Sequence, residues 1–520
     1  MADRQRRFFN TTGPCNPEDH YMLSPEERLK GAQLSRYIKD KLYWVLHAPR
    51  QTGKTTFLQS WMREINASGE YVACYVSVET CQGVTDPKDA IPAICNSIKE
   101  SAEVYGLPVP DTIEDHLTAL RYTLRIWSEL VAPKPLIVLF DEVDVLVGET
   151  MISFLRQLRG GFAARGVGKF PVSIALVGMR DLKDYITQAK DGTAPNPGSP
   201  FNIKKDSAWL TNFSEDDIVR LFAQRTKETG QQITQEALDY VFEQSNGQPW
   251  IVNSLFERAT LRILDEESTE TVTIEHVRDA REQMVLARET HLDALAYRLK
   301  DNRVRRVIEG LMAGSNNLDM YDDEAVRLCI DLGLVTKEGG LRISNPIYRE
   351  VIAREMTFIS QIIMPEPEEL KWTKDDGSLD MDALLCEFQK FWRRHSQIWE
   401  SRSDYTEAFP HLLLMAFLQR VINGGGYIER EYAAGRGRLD LMVLYNKKWY
   451  LIEIKLIHDY DTTESVREEG LRQITRYRDN FGSISFSYLV IFDRREASKS
   501  LPWDEKIKWE IEGDITLVWL

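Results

Sequence analysis

The chain has no paired cysteines, no long apolar run, no internal repeat, no low-complexity tract and no excess of basic charge. Each absence excludes something. Its six cysteines (Cys15, Cys74, Cys81, Cys95, Cys329 and Cys386) are scattered over 520 residues without a C-x-x-C pair. That spacing predicts reduced thiols in a cytoplasmic protein, not a disulfide framework or a zinc site. No stretch approaches the roughly 18 consecutive apolar residues that a membrane-spanning helix needs, so no membrane partner is expected. Met1 to Arg7 is polar and basic with no apolar run behind it, which predicts no secretory signal. With 65 Lys+Arg against 80 Asp+Glu the formal net charge is −15, which argues against coating nucleic acid through bulk charge. A local basic groove stays compatible with that balance. A hydrophobic content of 43% is that of a folded protein, and the length predicts about three compact units.

What is present falls into blocks. Residues 1–35 hold Pro14, Pro17 and Pro25 and show no clear period. From residue 36 apolar runs at Tyr43–His47, Tyr71–Val78, Leu136–Phe140 and Val172–Val177 alternate with helical stretches, which predicts a buried parallel sheet over residues 36–205. Residues 206–270 turn helical. Ser214, with Asp217 three residues on, reads as a helix start. A helical block at 271–363 ends in a helix, a turn at Gly339-Gly340 and a short strand, the pattern of a winged helix. Residues 364–378, with Pro365 and Pro367, form the linker candidate. Residues 379–520 switch again, to long helices, strands at Tyr427–Tyr432, Leu439–Leu444 and Trp449–Ile454, a helix at Ser465–Tyr477, and strands at Tyr488–Phe492 and Ile515–Trp519.

The first constellation is a strand followed by Ala48-Pro49-Arg50-Gln51-Thr52-Gly53-Lys54-Thr55-Thr56 and a helix. It matches G-x-x-x-x-G-K-[ST] except that Ala48 holds the first glycine position, a mild change if the loop's φ is negative there. Backbone N–H groups of such a loop cradle phosphates, Lys54 reaches the β- and γ-phosphates, and the Thr55 hydroxyl binds Mg²⁺. Downstream, Leu136–Phe140 delivers Asp141 and Glu142 at a strand's carboxyl end, where ligands of parallel sheets bind. Asp141 would hold Mg²⁺ through water, and Glu142 would orient or deprotonate the attacking water. Arg180 ends the next strand, where it would sense the γ-phosphate or simply lie on the surface. Gly247-Gln248-Pro249 opens a helix in the helical block and either places a turn near the nucleotide or is a plain helix start.

Together these residues resemble the AAA+/STAND branch of P-loop ATPases, in particular the archaeal-ATPase and Orc-like group, over roughly residues 36–357. The stretch from Asp331-Leu332-Gly333-Leu334-Val335 to Asn345-Pro346-Ile347-Tyr348-Arg349-Glu350-Val351 looks like that group's winged-helix tail. The resemblance implies ATP as ligand and a nucleotide-dependent switch, often a homo-oligomer. Arg156, Arg159 and Arg165 all lie between the Asp141-Glu142 strand and the next, the place for an arginine finger, and nothing chooses among them.

The second constellation is Arg438-Leu439-Asp440 followed, after the turn Tyr445-Asn446-Lys447-Lys448, by Ile452-Glu453-Ile454-Lys455. Glu453 and Lys455 alternate on one strand and so share a face. With Asp440 on the neighbouring strand, two carboxylates and an ammonium meet. Such a pair binds a hard divalent cation, which polarises a phosphodiester, while Lys455 positions the water. A solvent-facing Glu/Lys pair on an edge strand is the alternative. The order and spacing resemble the PD-(D/E)XK nuclease superfamily over roughly residues 380–500, most closely the nuclease domains fused behind AAA-type ATPases. That resemblance implies Glu407 as a further metal ligand and a role for Gln473, which shares a helix face with Tyr477. One departure is Leu439, where the family places proline.

Arg467, Arg472, Arg476, Arg478, Arg494 and Arg495 cluster near this motif. They read either as phosphate contacts or as members of a salt-bridged helix with Glu464, Glu468 and Glu469. From Asp376 onward the charge is only about −4, with 20 Lys+Arg against 24 Asp+Glu, so acidity is not concentrated there. The expected architecture is α/β and multidomain: a parallel-sheet P-loop ATPase core, a helical lid and winged helix, and a C-terminal α/β restriction-endonuclease-like domain. The expected activity is an ATP-regulated, Mg²⁺-dependent nuclease (Mn²⁺ as substitute) acting on nucleic acid, with DNA ahead of RNA. The alternatives are a nucleotide-switched DNA-binding protein with an inactive nuclease fold, or a mobile-element helper ATPase. By analogy alone, proteins that look like this are placed in anti-phage defence.

Overall fold

The computed structural model describes residues 6–30, 33–179, 204–265, 267–287, 297–312, 322–363, 372–374, 376–400, 410, 413–415, 417–418, 426–434, 437–481 and 485–520. Two compact units emerge: Met1–Arg288 with Arg327–Lys337, and Glu289–Val326 with Glu338–Leu520.

In the first unit, β1 (Leu29–Lys30), β2 (Tyr43–His47), β3 (Val72–Ser77), β4 (Leu136–Asp141), β5 (Ser173–Gly178) and β6 (Lys204–Leu210) form a sheet of order β1-β6-β2-β5-β4-β3. All neighbours run parallel except β1 with β6. Every residue of β4 and β5 is buried, because helices cover both faces, which explains the unbroken apolar runs in the sequence. The helix Lys54–Ser68 turns Phe57, Leu58, Trp61, Met62 and Ile65 against Ile137, Leu139 and Ala175 on one face. Helices Pro87–Val104, Ala119–Leu130 and Gly148–Phe162 cover the other, around Trp127, Phe140 and Phe154. Each such side chain taken out of water contributes about 1.5–3 kcal/mol. The strand order brings the carboxyl ends of β2, β4 and β5 side by side, and that edge carries the phosphate loop.

A bundle follows: Glu215–Thr229, Gln235–Ser245, Pro249–Glu257 and Ile274–Leu286. Ser214 caps the first helix as expected: the Asp217 N–H donates to its Oγ (3.2 Å) and its own N–H donates to Asp217 Oδ2 (2.9 Å).

Within the aperiodic N-terminal segment, residues 6–30 form an ordered strap. The Trp250 indole donates to Thr11 O (2.9 Å), Asn253 Nδ2 donates to Asn10 O (2.9 Å), and Phe9 packs on Phe222 and Phe256. The Cys15 N–H donates to Thr56 Oγ1 (3.0 Å), so the strap ties the bundle to the phosphate loop.

The second unit holds helices Asn302–Met312, Pro346–Ile363 and Met381–Glu400 and a six-stranded sheet. Its strands are β9 (Gly426–Ala434), β10 (Gly437–Tyr445), β11 (Lys448–Ile457), β12 (Ser485–Asp493), β13 (Trp509–Glu512) and β14 (Ile515–Trp519). The two-residue strands are β7 (Val335–Thr336), in the first unit's segment Arg327–Lys337, and β8 (Arg342–Ile343), in the second unit. The sheet order is β13-β14-β12-β11-β10-β9, with β11, β12 and β14 parallel and the hairpin β10–β11 antiparallel. Asn446 and Lys447 close that hairpin with φ of 47° and 63°, the left-handed pair of a type I′ turn. Leu489 and Ile491 pack under the helix Thr463–Phe481, while Phe492 on the opposite face meets Trp392. Gly470 lets that helix close on β12: a Cβ there would lie 2.6 Å from Leu489 Cδ1.

Candidate functional sites: a phosphate loop and a carboxylate pair

At the first site Ala48 is absent from the positive-φ residues; the left-handed positions are Gln51 (φ 58°) and Gly53 (φ 93°). The alanine is therefore tolerated where a glycine is usual. Thr52 Oγ1 donates to Pro49 O (2.9 Å) and stiffens the turn. Lys54 is buried, and its Nζ donates to Ala48 O and Pro49 O, both at 2.8 Å. Burial pulls the ammonium below its ordinary value against the attraction of Asp141, Glu142 and Asp144. Thr55 Oγ1 donates to Asp141 Oδ2 (2.7 Å), the Tyr75 hydroxyl donates to the same oxygen (3.2 Å), and the Glu142 N–H donates to Asp141 Oδ1 (2.9 Å). The hydroxyl and carboxylate expected to hold a cation are thus already neighbours.

Glu142 sits in the left-handed region (φ 57°), and burial with Asp144 and Asp141 nearby raises its carboxyl to about 7. A carboxyl near neutrality is suited to accept a proton from water. Pro249 is the first residue of its helix. The cap, Gln248, accepts from the Ile251 N–H (2.7 Å) and donates through Nε2 to Gln51 O (3.4 Å), so the bundle does reach the loop. Arg180 lies outside the described residues. Arg165 spends its guanidinium on Lys41 O (2.9 Å) and Phe162 O (2.8 Å).

Two features of this site were not read from the sequence. Arg28, buried, donates to Thr52 O (3.0 Å) and Thr211 O (2.7 Å) and lies over the Phe213 ring; burial pulls it down to about 10. And at Gly333 (φ 75°), in the segment Arg327–Lys337 of this unit, a Cβ would stand 2.6 Å from Pro49 Cβ. Contacts between residues this far apart in the chain leave no local periodicity to read.

At the second site Leu441 pairs with Ile452 across the hairpin, so Asp440 before it and Glu453 after it come together. The Ile454 N–H donates to Asp440 Oδ2 (2.7 Å), which orients that carboxylate. Glu453 is 3% exposed and its Oε2 has no hydrogen-bond partner among the described residues. Burial, then Asp440, raises its carboxyl to about 8. Lys455 Nζ lies 3.2 Å from Glu453 Oε1 and 3.6 Å from Glu469 Oε1. Burial alone would lower this lysine; Glu453, Asp440 and Glu469 outweigh it and hold it above its ordinary value.

Gln473 Nε2 donates to Glu469 Oε1 (3.0 Å), and Gln473 Oε1 is buried without a partner among the described residues. Tyr477 is buried on the same helix. Glu469 was missed as a site residue, although Glu469, Gln473 and Tyr477 recur every fourth residue, a legible helix face. Glu407 lies outside the described residues. Among the described residues no group of three or more His, Cys, Asp or Glu is placed to hold a metal ion. The pair still suits a cation: two carboxylates stand together and one buried oxygen has no donor.

Of the six arginines, Arg467 pairs with Glu464, Glu510 and Glu512, Arg478 with Asp514, and Arg495 with Asp493. Of these pairs only Arg467 with Glu464 is the helix salt bridge of the second alternative; the others use acidic residues from elsewhere in the domain.

Two domain families account for these sites. Residues 38–186 match the AAA domain family and residues 405–482 the PD-(D/E)XK nuclease superfamily. Three solved structures are similar to this chain. The Walker-type ATPase PABY2304 of Pyrococcus abyssi has 13% identity and a TM-score of 0.47, over 66% of this chain and 99% of its own. Cdc6p from Pyrobaculum aerophilum has 12% and 0.34, over 64% and 92%. The RuvB Holliday junction branch migration motor of Thermotoga maritima has 12% and 0.32, over 61% and 90%. No curated protein matches the sequence. The chain joins an AAA ATPase domain to a PD-(D/E)XK nuclease domain. It is an ATPase and a nuclease, with use for a nucleotide, a divalent metal ion and nucleic acid. Among the described residues no helix is long and apolar enough to cross a membrane.

Proposed function

We propose that the chain is an ATP-regulated, Mg²⁺-dependent nuclease that hydrolyses phosphodiester bonds of DNA. The observation that carries the nuclease half is Glu453: a buried carboxyl against Asp440, with one oxygen that no donor among the described residues satisfies. Asp440 and Glu453, joined by Glu407, would hold the ion. A bound divalent ion supplies charge neutralisation and a more acidic water. Lys455 holds and orients the attacking water, and Glu469 keeps the lysine in place. Gln473 offers its carbonyl oxygen to the same space.

In the ATPase half, Lys54 exchanges the Ala48 and Pro49 carbonyls for phosphate oxygens. Thr55 and Asp141 face the nucleotide's Mg²⁺, and Glu142 accepts a proton from water. Residues 48–56 supply the cradle, Arg180 reads the γ-phosphate, and Gln248 with Pro249 relays the loop's position to the bundle. Control of the nuclease by nucleotide is supported by Gly333 against Pro49: a shift of the loop presses on the segment that leads into the expected winged helix and onward to the nuclease domain. A STAND-type switch, a homo-oligomeric active state, a cytoplasmic setting and a role in anti-phage defence complete the proposal.

The test uses the full chain with Mg²⁺, with and without ATP, against plasmid, linear duplex, single-stranded DNA and RNA, with Asp440→Ala and Lys54→Ala in parallel. Nucleotide-dependent cutting that Asp440→Ala abolishes is expected. If Asp440→Ala cuts as well as wild type, or nothing is cut under any nucleotide, the nuclease reading fails. If Lys54→Ala leaves nucleotide binding and cutting unchanged, the control reading fails.

A further inference from the structure

The loop that leaves β11 carries an aromatic pair that the chemistry above does not use. Tyr460 is 84% exposed, beyond any other exposed large hydrophobic side chain among the described residues. Its ring stacks on His458, with centroids 5.2 Å apart and planes 12° from parallel. The loop beneath is pinned: the His458 N–H donates to Asp461 Oδ2 (3.0 Å), the Asp461 N–H returns a bond to His458 O (2.9 Å), and Thr462 Oγ1 donates to Ser465 Oγ (2.8 Å) at the next helix start. One aromatic face is thus covered and held while the ring as a whole stays in water.

Its place matters. Strands β11 and β12 run parallel and end together at Ile457 and Asp493, the end of a sheet where ligands collect. His458 stands three residues beyond Lys455, about 10 Å at strand rise, which matches about three stacked nucleotides of one strand. The Arg494 N–H donates to Ile457 O (2.9 Å), so arginines 494 and 495 stand at this same end. Asp459 and Asp461 flank the tyrosine, and their charge disfavours a phosphate backbone running over the loop. A base face, which carries no charge, is welcome there.

We propose that the Tyr460–His458 stack is a platform for an unpaired nucleobase, holding a single-stranded segment of the substrate beside Asp440, Glu453 and Lys455. It rests on the nuclease reading. Stacking on an aromatic ring is tolerant of base identity and needs the base out of a duplex, so the platform selects single strands, frayed ends and flaps over intact duplex.

The test reads binding by the full chain carrying Asp440→Asn, which prevents cutting, with a 2-aminopurine-labelled single strand and a blunt duplex of the same sequence. Adding Tyr460→Ala should weaken single-strand binding about tenfold, abolish the stacking quench, and leave duplex binding within about twofold. The salt dependence should keep its slope, because no phosphate contact is lost. Tyr460→Phe and Tyr460→Trp should retain both affinity and quench. Unchanged single-strand binding by Tyr460→Ala, equal losses on both ligands, or failure of Tyr460→Phe to retain the quench overturns the platform alone. If the Asp440→Asn parent binds no nucleic acid of any kind, the nucleic-acid reading falls and the platform with it.

Discussion

The two sites each set a lysine among carboxylates, and they handle it in opposite ways. At the phosphate loop every partner is internal: Lys54 holds two carbonyls, and Asp141 accepts from Thr55, Tyr75 and Glu142. Burial wins there, and the ammonium is pulled down. At the hairpin the carboxylates win, Lys455 is held up, and Glu453 keeps an oxygen without a donor. At the first site Lys54 and Asp141 are already bonded within the protein, so a nucleotide must replace existing bonds, and Asp144 Oδ1 is buried there without a partner among the described residues. The second is incomplete without a proton or a cation. One site behaves as a switch and the other as a standing demand for metal.

Asp440→Ala is the sharpest way to break that contrast. It should cut nuclease activity by about a thousandfold or more, and calorimetry should show the divalent-ion site lost, with nucleotide binding intact. Lys54→Ala should weaken nucleotide binding by roughly 10- to 100-fold, the value of charge-assisted bonds to phosphate, and leave metal binding by the nuclease domain unchanged. Glu469→Ala should lower cleavage about tenfold, mostly in kcat, because Lys455 keeps only Glu453 and Gln473 Nε2 loses its acceptor; Glu469→Gln should recover the part owed to Gln473. Gly333→Val should reduce the stimulation by ATP about fivefold while nucleotide-free cutting stays put, since it presses on Pro49 and touches no reacting group.

The smallest effect is a pH dependence. Glu453 titrates near 8 when folded and near the ordinary glutamate value when unfolded, so the native chain binds the extra proton between those limits. In chelator, Tm should therefore fall as pH rises from about 5 towards 8, and Glu453→Gln should flatten that fall. Added Mg²⁺ should restore more stability at pH 8 than at pH 6. A flat profile in chelator would remove the demand for metal that separates this site from the other.

What could be read from the sequence had a local signature. The phosphate loop, the Asp141-Glu142 strand end and the Asp440/Glu453/Lys455 hairpin all lie within a few residues of a period or a turn. The helix start at Ser214 was legible for the same reason, while Gly247-Gln248-Pro249 stayed open between a turn near the loop and a plain helix start until the structure showed Gln248 donating to Gln51 O. Arg28 was not, because its partners Thr52 and Thr211 come from opposite ends of the domain. The arginine cluster stayed ambiguous until β13, a strand the sequence reading lacked, set Glu510 and Glu512 beside Arg467.

The N-terminal strap joins residues separated by almost half the chain: Arg7 donates to Glu228, and Asn253 to Asn10. Such closures give the ATPase domain a high contact order. On a ribosome Arg7, Asn10 and Thr11 meet their partners in the bundle only once residues up to about 253 have emerged, whereas Cys15 can reach Thr56 much sooner. The strap therefore acts as a completion check in synthesis. A chain truncated before the bundle carries the full nucleotide motif and Cys15 yet lacks the helices that anchor the strap.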